Sequence, residues 1–121
     1  MLKITKQRRI MLDYLKKKNT PLSAEMIFLD LPSGSMNLST VYRTLEAFEQ
    51  HHLVEKYYLN SIAYYKMVSD EHKHYMVCDN CNNLIEIDCH VEDYIKEETD
   101  KHHFKLRSHD LTIYGLCQDC Q

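Results

Sequence analysis

Apolar side chains recur at Ile10, Met11, Tyr14 and Leu15, the spacing that lines one face of an α-helix, so residues 5–18 are predicted to be helical. Lys16, Lys17 and Lys18 close this run, where the helix dipole favours cations. Asn19, Thr20 and Pro21 break it. Ser23 is a suitable N-cap for a second, short helix carrying Ile27, Phe28 and Leu31, ended by Pro32, Ser33 and Gly34. Ser39 is expected to open a third helix with Val41, Leu45 and Phe48 as its buried stripe and Ser39, Tyr42, Arg43 and Glu46 facing outward. Two β-rich runs, 53–58 and 62–67, flank Leu59, Asn60 and Ser61 and read as a hairpin. Three short helices and a two-stranded wing make a winged helix-turn-helix, a motif whose third helix lies in the DNA major groove. A generic three-helix core with a hairpin fits the same pattern, because fold does not fix function.

Residues 68–71 are polar and read as a hinge. Beyond them the pattern predicts strands at 75–77 and 84–87, then a helix over 91–102 with Val91, Tyr94 and Ile95 inward. A last strand region holds Phe104, Leu106, Leu111 and Ile113. The fold class is therefore α+β: a winged-helix domain at 1–67, the hinge, and a small αβ domain at 72–121. A unit of some fifty residues buries little surface, so it should need a metal, a partner subunit or both.

Composition sharpens this division. The chain has 121 residues, 44% hydrophobic and 27% charged, with only two glycines and two prolines, which argues against collagen-like or linker-rich sequences. No apolar run approaches the roughly 18–20 residues of a membrane span. The basic N-terminus lacks the apolar stretch of a signal peptide, so a cytoplasmic location and no membrane partner are expected. Ten Lys/Arg against six Asp/Glu in residues 1–66 give a net charge of +4, while five against twelve in 67–121 give −7. The front half thus suits an anionic partner and the rear half cations.

All five cysteines lie in the acidic half. Cys78-x-x-Cys81 and Cys117-x-x-Cys120 form two knuckles, each presenting two thiolates from a tight turn, and together they match a closed tetrahedral zinc site. Such a site leaves no open position for water, so its role is structural, and its binding energy is folding energy. Disulfides, a rubredoxin-type iron and a thioredoxin-like redox motif are the other readings of paired C-x-x-C segments. Cys89 stands alone, as a buried thiol, a soft ligand or an oxidation target.

Leu2-Lys3-Ile4-Thr5 with Arg8, Leu22-Ser23-Ala24-Glu25, Leu38-Ser39-Thr40-Val41-Tyr42-Arg43-Thr44-Leu45, His72-Lys73-His74 before Cys78, and Tyr114-Gly115-Leu116-Cys117 occur in that order. Through these segments the chain resembles, over nearly its whole length, the ferric uptake regulator (Fur) family of bacterial metal-dependent repressors. The resemblance implies a DNA-binding front half and a dimerisation domain behind it. It implies DNA contacts from Lys3, Thr5, Arg8, Ser39, Thr40, Tyr42 and Arg43. Arg43 would reach guanine edges or phosphate, Tyr42 thymine methyls, and Lys3 an A·T-rich minor groove beside the Thr5 anchor. Family members commonly carry a further helix ahead of Leu2-Lys3-Ile4-Thr5, and this sequence begins almost at that stretch.

The resemblance also implies a second, regulatory metal site of His72, His74, Glu92 and His109, suited to Zn2+, Fe2+ or Mn2+. Glu86, Cys89 and His90 are auxiliary candidates. His72 and His74 point the same way if their segment is extended. A further sensory site of the family, at the hinge, is largely absent, since Pro21, Lys73, Tyr75 and Met67 stand where its ligands would be. That weakens a peroxide-responsive reading. A thiolate at Cys89 would favour zinc, which places a zinc uptake regulator slightly ahead of an iron-responsive repressor. The expected protein is thus a cytoplasmic homodimer, not an enzyme, with metal as corepressor on an A/T-rich palindromic operator. The rivals are a metal-dependent hydrolase, for which no H-E-x-x-H motif is present, and a zinc-ribbon protein-interaction module.

Overall fold

The computed structural model describes residues 1–69 and 72–121, which form two compact units, Met1–Ser69 and Asp70–Gln121. The boundary falls within the expected hinge at 68–71, whose residues 70 and 71 lie outside the described residues.

In the first unit, α1 (Lys6–Lys16) is capped by the Thr5 hydroxyl, which accepts the Arg8 N–H at 3.3 Å. A two-residue strand, β1 (Leu22–Ser23), leads into α2 (Ala24–Asp30), capped as expected by Ser23, whose hydroxyl accepts the Met26 N–H at 3.2 Å. Helix α3 (Leu38–Gln50) starts one residue before Ser39. Its cap is Asn37, whose side-chain oxygen accepts the Thr40 N–H at 2.8 Å. Strands β2 (Val54–Leu59) and β3 (Ile62–Met67) form the hairpin, with Leu59 opposite Ile62. The two turn residues Asn60 and Ser61 both have positive φ, 52° and 65°, as the two-residue turn matched to strand twist requires. Strand β1 pairs with β3, Leu22 opposite Tyr65, giving the order β1-β3-β2.

Met11, Leu15, Ala24, Ile27, Val41, Leu45, Phe48, Val54 and Tyr65 form one buried cluster. The α3 stripe is as expected. On α1 the buried face is Met11, Leu12 and Leu15, and Ile10 and Tyr14 only flank it. Helix α2 is too short to bury two faces, so Ala24, Ile27 and Leu31 fill the core and Phe28 stays exposed.

In the second unit, β4 (Lys73–Cys78) is the central strand, with β5 (Leu84–Asp88) antiparallel on one side and β6 (Thr112–Gly115) parallel on the other. A parallel neighbour requires a crossover. Here it consists of α4 (Glu92–Lys101) and the irregular segment 102–111. Tyr75, Val77 and Cys78 are buried, whereas α4 buries no residue. Tyr94, expected inward, is 65% exposed and Phe104 67%. Phe104 and Leu106 belong to no strand, and β6 begins only at Thr112. Three short strands and one helix offer these side chains no opposing layer within the unit.

Candidate functional site

Strand pairing assembles the four-cysteine cluster. Cys78 ends β4 and Cys117 follows β6, and the parallel register sets Cys78 opposite Gly115. Each second cysteine sits in a turn closed by the backbone: Asn82 N–H donates to Cys78 O at 2.9 Å, and Cys120 N–H to Cys117 O at 3.0 Å. All four Sγ atoms lie within 4.8 Å of one another. All five cysteines are free thiols, so the disulfide reading does not hold. The Sγ atoms of Cys81 and Cys117 stand 3.7 Å apart. A tetrahedral zinc ion with Zn–S bonds of about 2.3 Å has sulfur–sulfur edges of about 3.8 Å, so the cluster fits a structural zinc site.

Amide groups donate to two of the four sulfurs. The Cys117 N–H donates to Cys78 Sγ at 3.4 Å, and Asn80 Nδ2 donates to Cys120 Sγ at 3.3 Å. The Cys117 and Cys81 amides lower the Cys78 thiol to about 6. Cys117, in contact with the Cys120 thiol and partly desolvated, is pushed up to about 12. Without a cation, one thiolate forms readily and opposes the next. A divalent ion removes that opposition and deprotonates its ligands.

The second cluster is built around β4. His74 lies on that strand and His72 just before it, and their side chains converge as an extended segment allows. His109 precedes β6, and Cys89 follows β5. The Nε2 atom of His109 is 2.8 Å from His72 Nε2, 3.1 Å from His74 Nε2 and 3.5 Å from Cys89 Sγ. Around a tetrahedral zinc the nitrogen–nitrogen edge is about 3.3 Å and the nitrogen–sulfur edge about 3.5 Å. The sulfur is thus already at ligand spacing, and the imidazoles need move apart by only a few tenths of an ångström. His74 is 5% exposed, and burial, reinforced by His72 and His109, lowers its pKa. The ring is therefore neutral at neutral pH, the form that ligates.

Glu92, expected as the fourth ligand, is not part of this group. It is the exposed first residue of α4, where a carboxylate complements the helix dipole. Cys89 occupies the place expected for that carboxylate. The signal for this was the strand register: Lys73 faces Asp88, so one step further sets Cys89 beside His72. Of the other auxiliary candidates, Glu86 lies 3.9 Å from Lys73 Nζ, which also pairs with Asp88, and His90 is exposed outside the group.

On α3 the expected reading residues Ser39, Tyr42 and Arg43 are exposed, and Thr40 is half-buried with its N–H engaged by the Asn37 cap. The Tyr42 hydroxyl donates to Glu25 Oε1 at 2.5 Å, a contact between α3 and α2 that sequence reasoning missed. Arg43 Nε reaches only its own helix, Ser39 O at 3.5 Å. At the N-terminus Lys3 is exposed, and Arg8 Nη1 donates to the Lys3 carbonyl at 2.6 Å. Arg8 and the Thr5 cap thereby tie the segment carrying Lys3 to α1.

A winged-helix unit joined to a unit with a four-thiol and a three-imidazole cluster defines a class of metal-binding transcriptional regulators. The sequence matches the profile of the ferric uptake regulator family over residues 1–114. It is 32% identical to the ferric uptake regulation protein of Campylobacter upsaliensis, over 98% of this chain and 80% of that protein. It is also 32% identical to the zinc uptake regulation protein of Mycobacterium tuberculosis, over 97% of this chain and 93% of that one. The iron-containing structure of the Francisella tularensis ferric uptake regulator superposes with a TM-score of 0.86 at 26% identity, covering 98% of this chain and 94% of that one. The chain belongs to the ferric uptake regulator family. It is a metal-responsive DNA-binding transcriptional regulator and not an enzyme.

Proposed function

We propose that this regulator is a homodimeric repressor of metal-homeostasis genes, in which an ion held by His72, His74 and His109 is the corepressor. The observation that carries this reading is the convergence of three imidazoles and a thiol apart from the four-cysteine cluster, so that one site serves folding and the other sensing. The ion supplies a positive charge and fixed ligand directions. The residues supply the switch. His72 is the first described residue after the unit boundary. Its commitment to a bound ion would shift the population toward pairs of recognition helices spaced for two half-sites.

The dimer reading is supported by the uncovered apolar side chains Tyr94, Phe104, Leu106, Leu111 and Ile113 of the second unit. A second copy would supply the opposing layer this unit lacks. An A/T-rich palindromic operator is the matching DNA, with Lys3 directed to its narrow minor groove and Tyr42 and Arg43 to the major groove.

The test is a titration of operator affinity against added metal, with the purified protein and its His72→Ala and His109→Ala variants. Metal should tighten binding by the unsubstituted protein and fail to do so for either variant. Equal responses in all three would remove the assigned sensor.

A further inference from the structure

We propose that Cys89, and not Glu92, completes the regulatory site, and that its thiolate makes the site selective for zinc over Fe2+ and Mn2+. The inference rests on the reading of this cluster as a metal site and goes on to its ligand chemistry. Three observations carry it. Cys89 Sγ lies 3.5 Å from His109 Nε2, the edge expected between a nitrogen and a sulfur ligand of one tetrahedral zinc ion. The sulfur and the three imidazole nitrogens lie within 4.8 Å of one another, and among the described residues no carboxylate oxygen joins the group. Glu92 begins α4 and is exposed, three positions beyond Cys89 in the chain.

Donor chemistry then decides the ion. Mn2+ and Fe2+ favour sites with oxygen donors and open or octahedral positions, whereas one thiolate with three imidazoles suits tetrahedral zinc. A merely structural role, with Cys89 as a small side chain packed beside His109, would give no thiolate–metal bond.

Cobalt(II) is the probe, added at one equivalent to the full chain with its four-cysteine cluster loaded with zinc, and zinc retention is followed by elemental analysis. The unsubstituted protein should show a near-ultraviolet sulfur-to-cobalt charge-transfer band and intense visible bands of four-coordinate cobalt while its zinc stays bound. Cys89→Ser should lose the charge-transfer band, and Glu92→Gln should keep it. In competition, Cys89→Asp should narrow the preference for zinc over Mn2+ by roughly tenfold or more, the scale on which metal-site substitutions act. Absence of the band from the unsubstituted protein with zinc retained, or loss of cobalt uptake in Glu92→Gln, would overturn the assignment. The spectrum of the unsubstituted protein decides the matter even if a variant fails to fold. A band present with operator affinity unmoved by cobalt would instead overturn the corepressor reading and leave Cys89 a ligand.

Discussion

Single residues decide what the two units can touch. Arg43 is exposed, and its side chain is held only by a long contact to its own helix, so its guanidinium fork keeps donors for a base edge. If it reads a guanine, Arg43→Ala should cost roughly 1–3 kcal/mol in specific binding and relax sequence preference at one position, measured by fluorescence anisotropy on matched and mismatched operators. Tyr42 differs, because its hydroxyl is committed to Glu25 and leaves the ring itself for contact with DNA. His74 gives a second expectation at this scale. Burial lowers its pKa, so between the folded value and the ordinary value of about 6.5 the unfolded chain binds more protons than the folded one. This contribution to stability is present above that range and is lost as pH falls through it. Denaturation curves of the full chain, with zinc in the four-cysteine cluster and none in the imidazole cluster, should therefore shift to lower denaturant as the solution is acidified below about 6.5, and an unchanged or rising midpoint would contradict this.

The elements show which patterns carry their own structure. The α3 stripe of Val41, Leu45 and Phe48 and the Asn60-Ser61 turn were readable because helix period and turn chemistry are local. The start of α3 lies one residue before the expected Ser39, and its Asn37 cap is visible only through the hydrogen bond to Thr40 N–H. Asn37→Ala should cost about 1 kcal/mol in the stability of the first unit, read as a lowered denaturation midpoint. Strand β1 has two residues and no period to detect, and it exists because β3 offers it an edge. The convergence of Cys89, and not Glu92, on the three imidazoles has the same origin. The expectation for the carboxylate came from family offsets along the chain, but which donors converge depends on the β4–β5 register, a non-local property. Tyr94 is expected inward on helical spacing and Phe104 in a strand, and both are exposed because the layer they need is not supplied by their own unit.

Across the whole molecule, charge and donor chemistry divide the labour. The basic winged-helix unit carries the residues proposed to contact DNA, and the acidic unit carries both donor clusters. Four thiolates around one ion leave no open position, and the ion there serves folding. Mild chelation should empty the imidazole cluster first, because fewer anionic ligands hold its ion. The resulting protein, still carrying one zinc per chain in the four-cysteine cluster, is the species on which the account depends. Its operator affinity, compared with that of the protein loaded at both sites, should be weaker by roughly 5–150-fold, the usual range of allosteric coupling. Equal affinity of the two forms at the same salt concentration would contradict a metal switch in this chain.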